Sequence, residues 1–159
     1  MVRDEEAARD LTQDSLIKMM EGLGGFDARA KLSTWVYRIT MNCCLSYLRR
    51  EGIRKHASLH DKKAVTGATL GDLLAEKREL SGESRVLKRE SEAVLTQSLG
   101  EIDPDHRSVL VLRDMQGLEY QQICEVLEIP IGTVKSRLFR ARAALREVIE
   151  IRMGERGDE

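Results

Sequence analysis

The chain has 159 residues, which is enough for one ordinary domain or two small ones. Aromatic residues make up 4% of it and there are two prolines, a composition that favours helices over a β-sandwich. The formal net charge of −1 argues against binding to nucleic acid through overall charge alone. The distribution of charge along the chain therefore matters more than its sum.

The N-terminus and the cysteines indicate the cellular compartment. Residues 1–6 are mostly charged and lack the apolar segment of a secretion signal. No apolar stretch approaches the roughly 18 residues of a membrane-spanning helix, so we expect no membrane insertion. The cysteines are Cys43, Cys44 and Cys124, an odd number that does not suggest a disulfide framework. We therefore expect a cytoplasmic protein.

The first part of the chain, residues 1–54, is predicted to be a small helical module. A helix over about 4–21 is predicted from apolar residues at helical spacing, namely Leu16, Met19, Met20 and Leu23. Ser33 is a candidate N-cap for a second helix over about 34–50. Residues 55–91 then combine glycine, serine, threonine and mixed charges without a sustained apolar period, which is typical of a flexible linker.

Residues 92–153 are predicted to form a second helical module. Its first amphipathic helix is indicated by Val94, Leu95, Leu99 and Ile102. Asp103 followed by Pro104 is a start signal, because aspartate caps a helix and proline fits its first position. Gly117 is a suitable stop for the helix that follows.

The end of this module has the pattern of a helix-turn-helix. A short helix is predicted over about 120–127, residues 128–132 form the turn, and a last helix runs from Thr133 to about Ile151. The predicted fold is therefore all-α, with two small helical modules joined by a flexible linker and the C-terminal module a helix-turn-helix.

The last helix separates apolar from basic side chains. Its inward stripe is predicted to comprise Val134, Leu138, Ala141, Leu145 and Val148. Residues 132–146 include five basic side chains and no acidic one. Basic side chains in the major groove contact phosphates and guanine edges, and a helix N-terminus favours a phosphate. The pattern favours DNA recognition over the alternative of a solvated basic face without a ligand.

Two separate segments resemble bacterial sigma factors of the extracytoplasmic-function (ECF) type. Residues 132–142, read as GTVKSRLFRAR, are similar to the recognition helix of sigma region 4, and residues 105–113 and 117–123 match the helices before it. Residues 31–42, read as KLSTWVYRITMN after Phe26, resemble region 2, which engages the −10 element. Residues 10–14 resemble the adjoining polymerase-binding stretch.

The resemblance implies roles for particular residues. Those implied to contact the −35 element are Lys135, Ser136, Phe139 and Arg140 at bases or backbone, with Thr133, Arg137 and Arg142 at phosphates. Those implied to lie near the melted −10 strand are Lys31, Ser33, Trp35, Tyr37, Arg38 and Asn42. Asp10 and Gln13 would contact the polymerase β′ clamp helices. Trp35 and Ile39, four residues apart, are also what a buried helix face would contain, so a core position for Trp35 remains an alternative.

The resemblance also implies partners. They are core RNA polymerase, through its β′ clamp helices and β flap, promoter DNA, and an anti-sigma factor. The family usually has a further helix before Asp4, so we expect the first module to lack part of the usual pattern.

Other combinations of residues are weaker signals. His56 and His60 are four apart and lie near Cys43 and Cys44 in sequence, but the spacing fits no standard structural zinc pattern. Cys124 lies among apolar residues and is predicted to be a small core residue. No nucleophile–base pair, paired carboxylates or phosphate-binding glycine loop is visible. We therefore expect no metal, no cofactor and no enzymatic activity.

Two alternatives to a sigma factor remain at this point. An autonomous helix-turn-helix regulator would bind DNA as a dimer, although the sequence contains no heptad zipper or effector domain. A helical adaptor would bind proteins and have no role at DNA. The sequence therefore predicts a promoter-specificity initiation factor and leaves the autonomous regulator as its main rival.

Overall fold

A computed structural model describes residues 1–57 and 94–157 of the chain. Within these ranges the regular structure is entirely helical, which confirms the all-α prediction. The helices are α1 (Glu5–Gly22), α2 (Leu32–Ala57), α3 (94–101), α4 (Pro104–Leu110), α5 (Tyr120–Leu127) and α6 (Ile131–Gly157). Most of the predicted linker, residues 58–91, lies outside the described residues.

Helix α1 begins at a capping carboxylate and packs on α2 through a narrow face. The Asp4 side chain accepts a hydrogen bond of 2.7 Å from the Ala7 amide. Leu11 and Ser15 are buried, and Leu11 forms a small apolar cluster with Cys43 and Cys44 of α2. The predicted helix over about 4–21 is confirmed, but this contact leaves three residues of its apolar side exposed: Leu16, Met20 and Leu23.

Helix α2 is longer than predicted at both ends. The Lys31 carbonyl accepts a hydrogen bond from the Trp35 amide, so Ser33 lies inside the first turn and is not the N-cap. The helix continues past Arg50 to Ala57. The continuation includes Gly52, whose cost of about 1 kcal/mol relative to alanine a long helix tolerates.

The start and stop signals around α4 are confirmed. The Asp103 carboxylate accepts hydrogen bonds from the amides of Asp105 and His106, and Pro104 occupies the first turn. Helix α4 continues into a π-helical turn over Val111–Met115. Gly117 then adopts a φ of 70°, a left-handed conformation that glycine takes without steric cost, and ends the helical segment.

Helices α5 and α6 form the predicted helix-turn-helix. The Gln122 side chain accepts a 2.8 Å hydrogen bond from the Glu119 amide at the start of α5. Glu128 ends α5 in the left-handed region, with φ 55° and ψ 42°. Helix α6 begins at Ile131, slightly earlier than predicted, because the Pro130 carbonyl already accepts hydrogen bonds from the next turn.

One apolar core includes residues from both modules. Its most deeply buried members come from the C-terminal module and include Val109, Leu112, Ile123, Val126 and Val134. Met41 of α2, 5% exposed, belongs to the same cluster, and Tyr37 packs against it. Helix α2 therefore lies against α4 and α5, a packing of the two modules that sequence patterns did not indicate.

Among the helices of residues 1–57 and 94–157, none is both long enough and apolar enough to cross a lipid bilayer.

Replacing Met41 by alanine should destabilise the packing between modules. Met41→Ala removes a buried side chain from the shared core, and such a truncation costs about 2–5 kcal/mol in free energy of unfolding. The matched control is Met20→Ala, because Met20 is 78% exposed on α1. Urea denaturation followed by circular dichroism measures both. Equal, small effects for the two variants would show that α2 does not share the core.

Removing the cap of α4 should also destabilise the chain. Asp103→Ala leaves the amides of Asp105 and His106 without their acceptor and should lower the free energy of unfolding by about 1 kcal/mol. Asp14→Ala, at an exposed position within α1, is the control and should have little effect. Thermal unfolding compares them, and a wild-type midpoint for Asp103→Ala would contradict the capping role.

Candidate nucleic-acid interface

The exposed side of α6 carries the basic face that the sequence predicts. Lys135, Ser136 and Arg140 are exposed, and Phe139 is 77% exposed beside them. An apolar ring that open to solvent lies outside the protein's own core. The first two turns of α6 therefore present cationic, hydroxyl and aromatic groups together.

The opposite side of α6 fixes the orientation of this face. Val134, Leu138 and Ala141 are 0–2% exposed and belong to the core, as predicted from their spacing. Leu145 and Val148, further along, are half-buried. Since the inward residues recur at helical spacing, the basic residues between them are directed outward.

Arg137 has a partner within the protein. Its Nη2 lies 3.0 Å from a carboxylate oxygen of Asp105, and its side chain is 27% exposed. The other oxygen of Asp105 lies 3.6 Å from Nη2 of Arg49 on α2. Asp105 thus holds two arginines, one from each module, and Arg137 is less open to a phosphate than its neighbours on α6.

Arg142 forms a two-point contact with the π-helical turn. Its Nε and Nη2 lie 3.0 Å and 2.6 Å from the two carboxylate oxygens of Asp114. This bidentate geometry is the strongest that an arginine makes with a carboxylate. Half of the Arg142 side chain remains exposed. Arg142 is therefore oriented by the protein and still borders the exposed face of α6.

The N-terminus of α6 lies at the same surface. The Pro130 carbonyl accepts hydrogen bonds from the amides of Thr133 and Val134. The amides of Ile131 and Gly132 come before these first helical hydrogen bonds and have no acceptor within the helix. Such amides favour an anion. Thr133 is half-buried, and its carbonyl accepts a hydrogen bond from the Ser136 hydroxyl.

The predicted −10 residues are Lys31, just before α2, and five residues of α2, and they fall into three groups. Lys31, Ser33 and Asn42 are exposed. Trp35 is half-buried, with its ring 5.4 Å from that of Phe26 and close to Gly22. This packing agrees with the alternative that Trp35 supports the module from within.

Tyr37 and Arg38 are engaged by the C-terminal module. The Tyr37 hydroxyl donates a 2.8 Å hydrogen bond to the Gln116 side chain. Arg38 Nε donates a 2.9 Å hydrogen bond to the Glu125 carbonyl, and Arg38 Nη1 lies 3.7 Å from a carboxylate oxygen of Glu128. These two −10 candidates therefore lie at the contact between modules.

The predicted polymerase-binding residues lie elsewhere. Asp10 and Gln13 are both exposed on α1. The exposed apolar side chains of Leu16 and Met20 lie on the same helix. The structure therefore leaves this helix accessible to a partner over much of its surface.

The cysteines lie in the interior. Cys43 and Cys44 are buried, and burial raises the pKa of the Cys44 thiol, which disfavours the reactive thiolate. Cys124 is half-buried against the core, close to its prediction. In the part of the chain that the structure describes, no three metal-binding side chains come together. His60 lies outside that part.

Two important residues were missed by sequence reasoning. Met41 follows Thr34 and Tyr37 at helical spacing, so the buried side of α2 was detectable as a periodic stripe. Glu128 was assigned to the turn, but its contact with Arg38 involves residues distant in sequence. No local pattern indicates such a pair.

Comparisons with protein families agree with both modules. Residues 1–53 match the family described as sigma-70 region 2, and residues 93–145 match sigma-70, region 4. The RNA polymerase sigma-H factor of Pseudomonas aeruginosa is 35% identical over 149 residues, covering 94% of this chain and 76% of that protein. The ECF RNA polymerase sigma-E factor of Escherichia coli K12 is 31% identical over 142 residues, covering 89% and 73%.

Solved structures share the fold. The sigma factor RpoE of Bartonella quintana, in complex with the anti-sigma factor NepR, superposes with a TM-score of 0.68 at 24% identity, covering 94% of this chain and 85% of that one. CnrH, in complex with the cytosolic domain of CnrY, gives 0.57 at 20% identity, covering 94% and 75%. With both regions matched in order, and with relatives similar over most of its length, the chain belongs to the sigma-70 family and is an ECF sigma factor, a promoter-specific initiation factor of RNA polymerase.

Proposed function

We propose that this sigma factor recognises promoters through two surfaces, with α6 reading the −35 duplex and α2 binding the opened −10 strand. The observation that carries the proposal is the exposed face of α6, where residues 132–146 include five basic side chains and no acidic one. The apolar side of the same helix is held in the core, which fixes how that face is presented.

At the −35 element, α6 would enter the major groove, which is about 12 Å wide and admits a helix. Lys135 and Arg140 are exposed cations suited to guanine edges or phosphates. Phe139 supplies an apolar contact of the kind that recognises a thymine methyl group. The Ile131 and Gly132 amides, with Thr133, would bind a backbone phosphate.

Arg142 and Arg137 would contribute differently. Asp114 holds Arg142 in two places while leaving it half-exposed, so Arg142 would meet a phosphate in a fixed orientation. Arg137 would first have to leave Asp105. We therefore assign Arg142 the larger share of phosphate binding.

At the −10 element, the exposed candidates are Ser33 and Asn42 on α2 and Lys31 just before it. Opening a duplex costs a few kcal/mol per unstacked base, and protein contacts to the released strand offset that cost. Tyr37 and Arg38 would join these contacts once the C-terminal module has moved from them. Trp35 would support the helix from within.

Partners follow from the family and from exposed α1. Core RNA polymerase would bind Asp10 and Gln13 through its β′ clamp helices and the C-terminal module through the β flap. An anti-sigma factor is a further expected partner, since RpoE of Bartonella quintana is bound to the anti-sigma factor NepR and CnrH to the cytosolic domain of CnrY. We place the protein in the cytoplasm with the polymerase and assign it no reaction of its own.

Run-off transcription tests the proposal. Purified core polymerase with this chain, on sheared genomic DNA from the host, should give discrete start sites. Arg140→Ala should reduce them about 5- to 150-fold, since one good base contact contributes about 1–3 kcal/mol. Arg54→Ala is the control, because Arg54 is an exposed arginine near the C-terminal end of α2, away from α6 in sequence.

The outcomes separate the proposal from its rivals. DNA binding by the chain alone, with a symmetric footprint and no new starts, would indicate an autonomous regulator. Full activity of Arg140→Ala would show that α6 does not read the promoter through this residue.

A second variant tests the −10 surface. Asn42→Ala should slow promoter opening several-fold while leaving binding to duplex −35 DNA unchanged, because it removes a polar contact to the released strand. Ser46→Ala is the control, because Ser46 is also exposed and lies one turn further along α2. Permanganate reactivity of unpaired thymines measures opening. Normal opening with Asn42→Ala would remove this residue from the site.

A further inference from the structure

Glu128 occupies a backbone conformation that suits glycine better. It ends α5 with φ 55° and ψ 42°, in the left-handed region where a side chain crowds the following carbonyl. Glycine, and less often asparagine, usually takes this position after a helix. A glutamate here therefore costs stability, and an offsetting contact of its side chain is expected.

The side chain of Glu128 reaches the other module. Its carboxylate lies 3.7 Å from Nη1 of Arg38 on α2. The same guanidinium donates through Nε to the Glu125 carbonyl, one turn earlier in α5. The C-terminal end of α5 thus holds Arg38 at two points, one neutral and one charged.

Other contacts extend this attachment along α2. The Tyr37 hydroxyl binds Gln116, and Met41 is buried in the shared core. Further along α2, Arg49 pairs with Asp105. The side of α2 that carries Tyr37 and Met41 is therefore covered by the C-terminal module in this conformation.

We propose that Glu128 acts as a latch, holding the C-terminal module over α2 so that Tyr37 and Arg38 are withheld from single-stranded DNA. The inference rests on the proposed function in one respect, the assignment of α2 to the −10 strand. A DNA phosphate and the Glu128 carboxylate compete for the same guanidinium, and the carboxylate repels the phosphate. Strand binding therefore requires the modules to separate.

The strength of the latch suits a reversible contact. The ion pair is partly solvated, with side chains 36% and 69% exposed, and such pairs are weak and screened by salt. Losing it should raise the population of separated modules by roughly two- to fivefold. When the binding-competent state is rare, affinity rises by the same factor as its population.

The test compares three variants of the full chain. Glu128→Gln keeps the side-chain length and removes the charge, while Glu147→Gln removes the same charge from an exposed position on α6. Glu128→Gly removes the latch and also relieves the left-handed backbone, two effects of opposite sign on stability. It therefore serves as a second latch-free variant, judged by opening and not by its thermal midpoint.

Two measurements follow opening separately. Fluorescence anisotropy with a labelled single-stranded oligonucleotide pool of random sequence gives affinity. Oxidation of Met41 by hydrogen peroxide, resolved by peptide mass spectrometry, reports exposure of the covered side of α2, with exposed Met20 as the internal reference. Glu128→Gln and Glu128→Gly should raise both quantities about two- to fivefold, and Glu147→Gln should raise neither.

The contrary outcomes are distinct. Unchanged Met41 oxidation in both Glu128 variants would overturn the latch. Equal gains in affinity for Glu128→Gln and Glu147→Gln would show a general charge effect and would also overturn it. Faster Met41 oxidation without tighter strand binding would show that opening the modules does not expose a site for single-stranded DNA, and would contradict the assignment of α2 to the −10 strand. Run-off transcription tests the sigma activity independently.

Discussion

Burial of the inward stripe of α6 is the interaction on which the rest of the structure depends. Val134 and Ala141 are fully buried and Leu138 nearly so, and they pack among residues of α4 and α5. Because this contact fixes the rotation of α6 about its axis, it directs the basic side chains outward. The same core includes Met41, so a single apolar cluster both orients the basic helix α6 and attaches it to α2.

Charge is distributed so that this attachment stays reversible. The polar contacts around Met41 involve arginines of α2 and carboxylates of the C-terminal module, and they lie at the solvent edge of the core. Partly exposed ion pairs contribute little each and weaken with ionic strength. The near-zero net charge of the chain fits this arrangement, since the basic side chains are balanced by carboxylates, some of which pair with arginines within the protein.

Local sequence signals predicted the helices well, but they could not predict contacts between residues distant in sequence. The Asp103–Pro104 start and the bounds of α5 were predicted from capping and periodicity, which act within a few residues. Ser33 was wrongly predicted as the N-cap because several neighbouring polar residues are possible caps, and the sequence does not decide among them. Periodicity found an apolar face on α1, but which side of a helix is covered depends on its neighbour, so the exposure of Met20 was not predictable. The roles assigned to Asp10, Asn42 and Arg140 remain predictions.

The π-helical turn after α4 bears on how this module can vary in length. Its Gln116 amide bonds to the Val111 carbonyl, five residues back, so the turn accommodates one residue more than an α-helical turn would. Deleting that residue would rotate everything beyond it by about 100°. Asp114 would then face away from Arg142. A related chain that lacks one residue in this segment would therefore have to orient that arginine in another way, even if the helices on either side were unchanged.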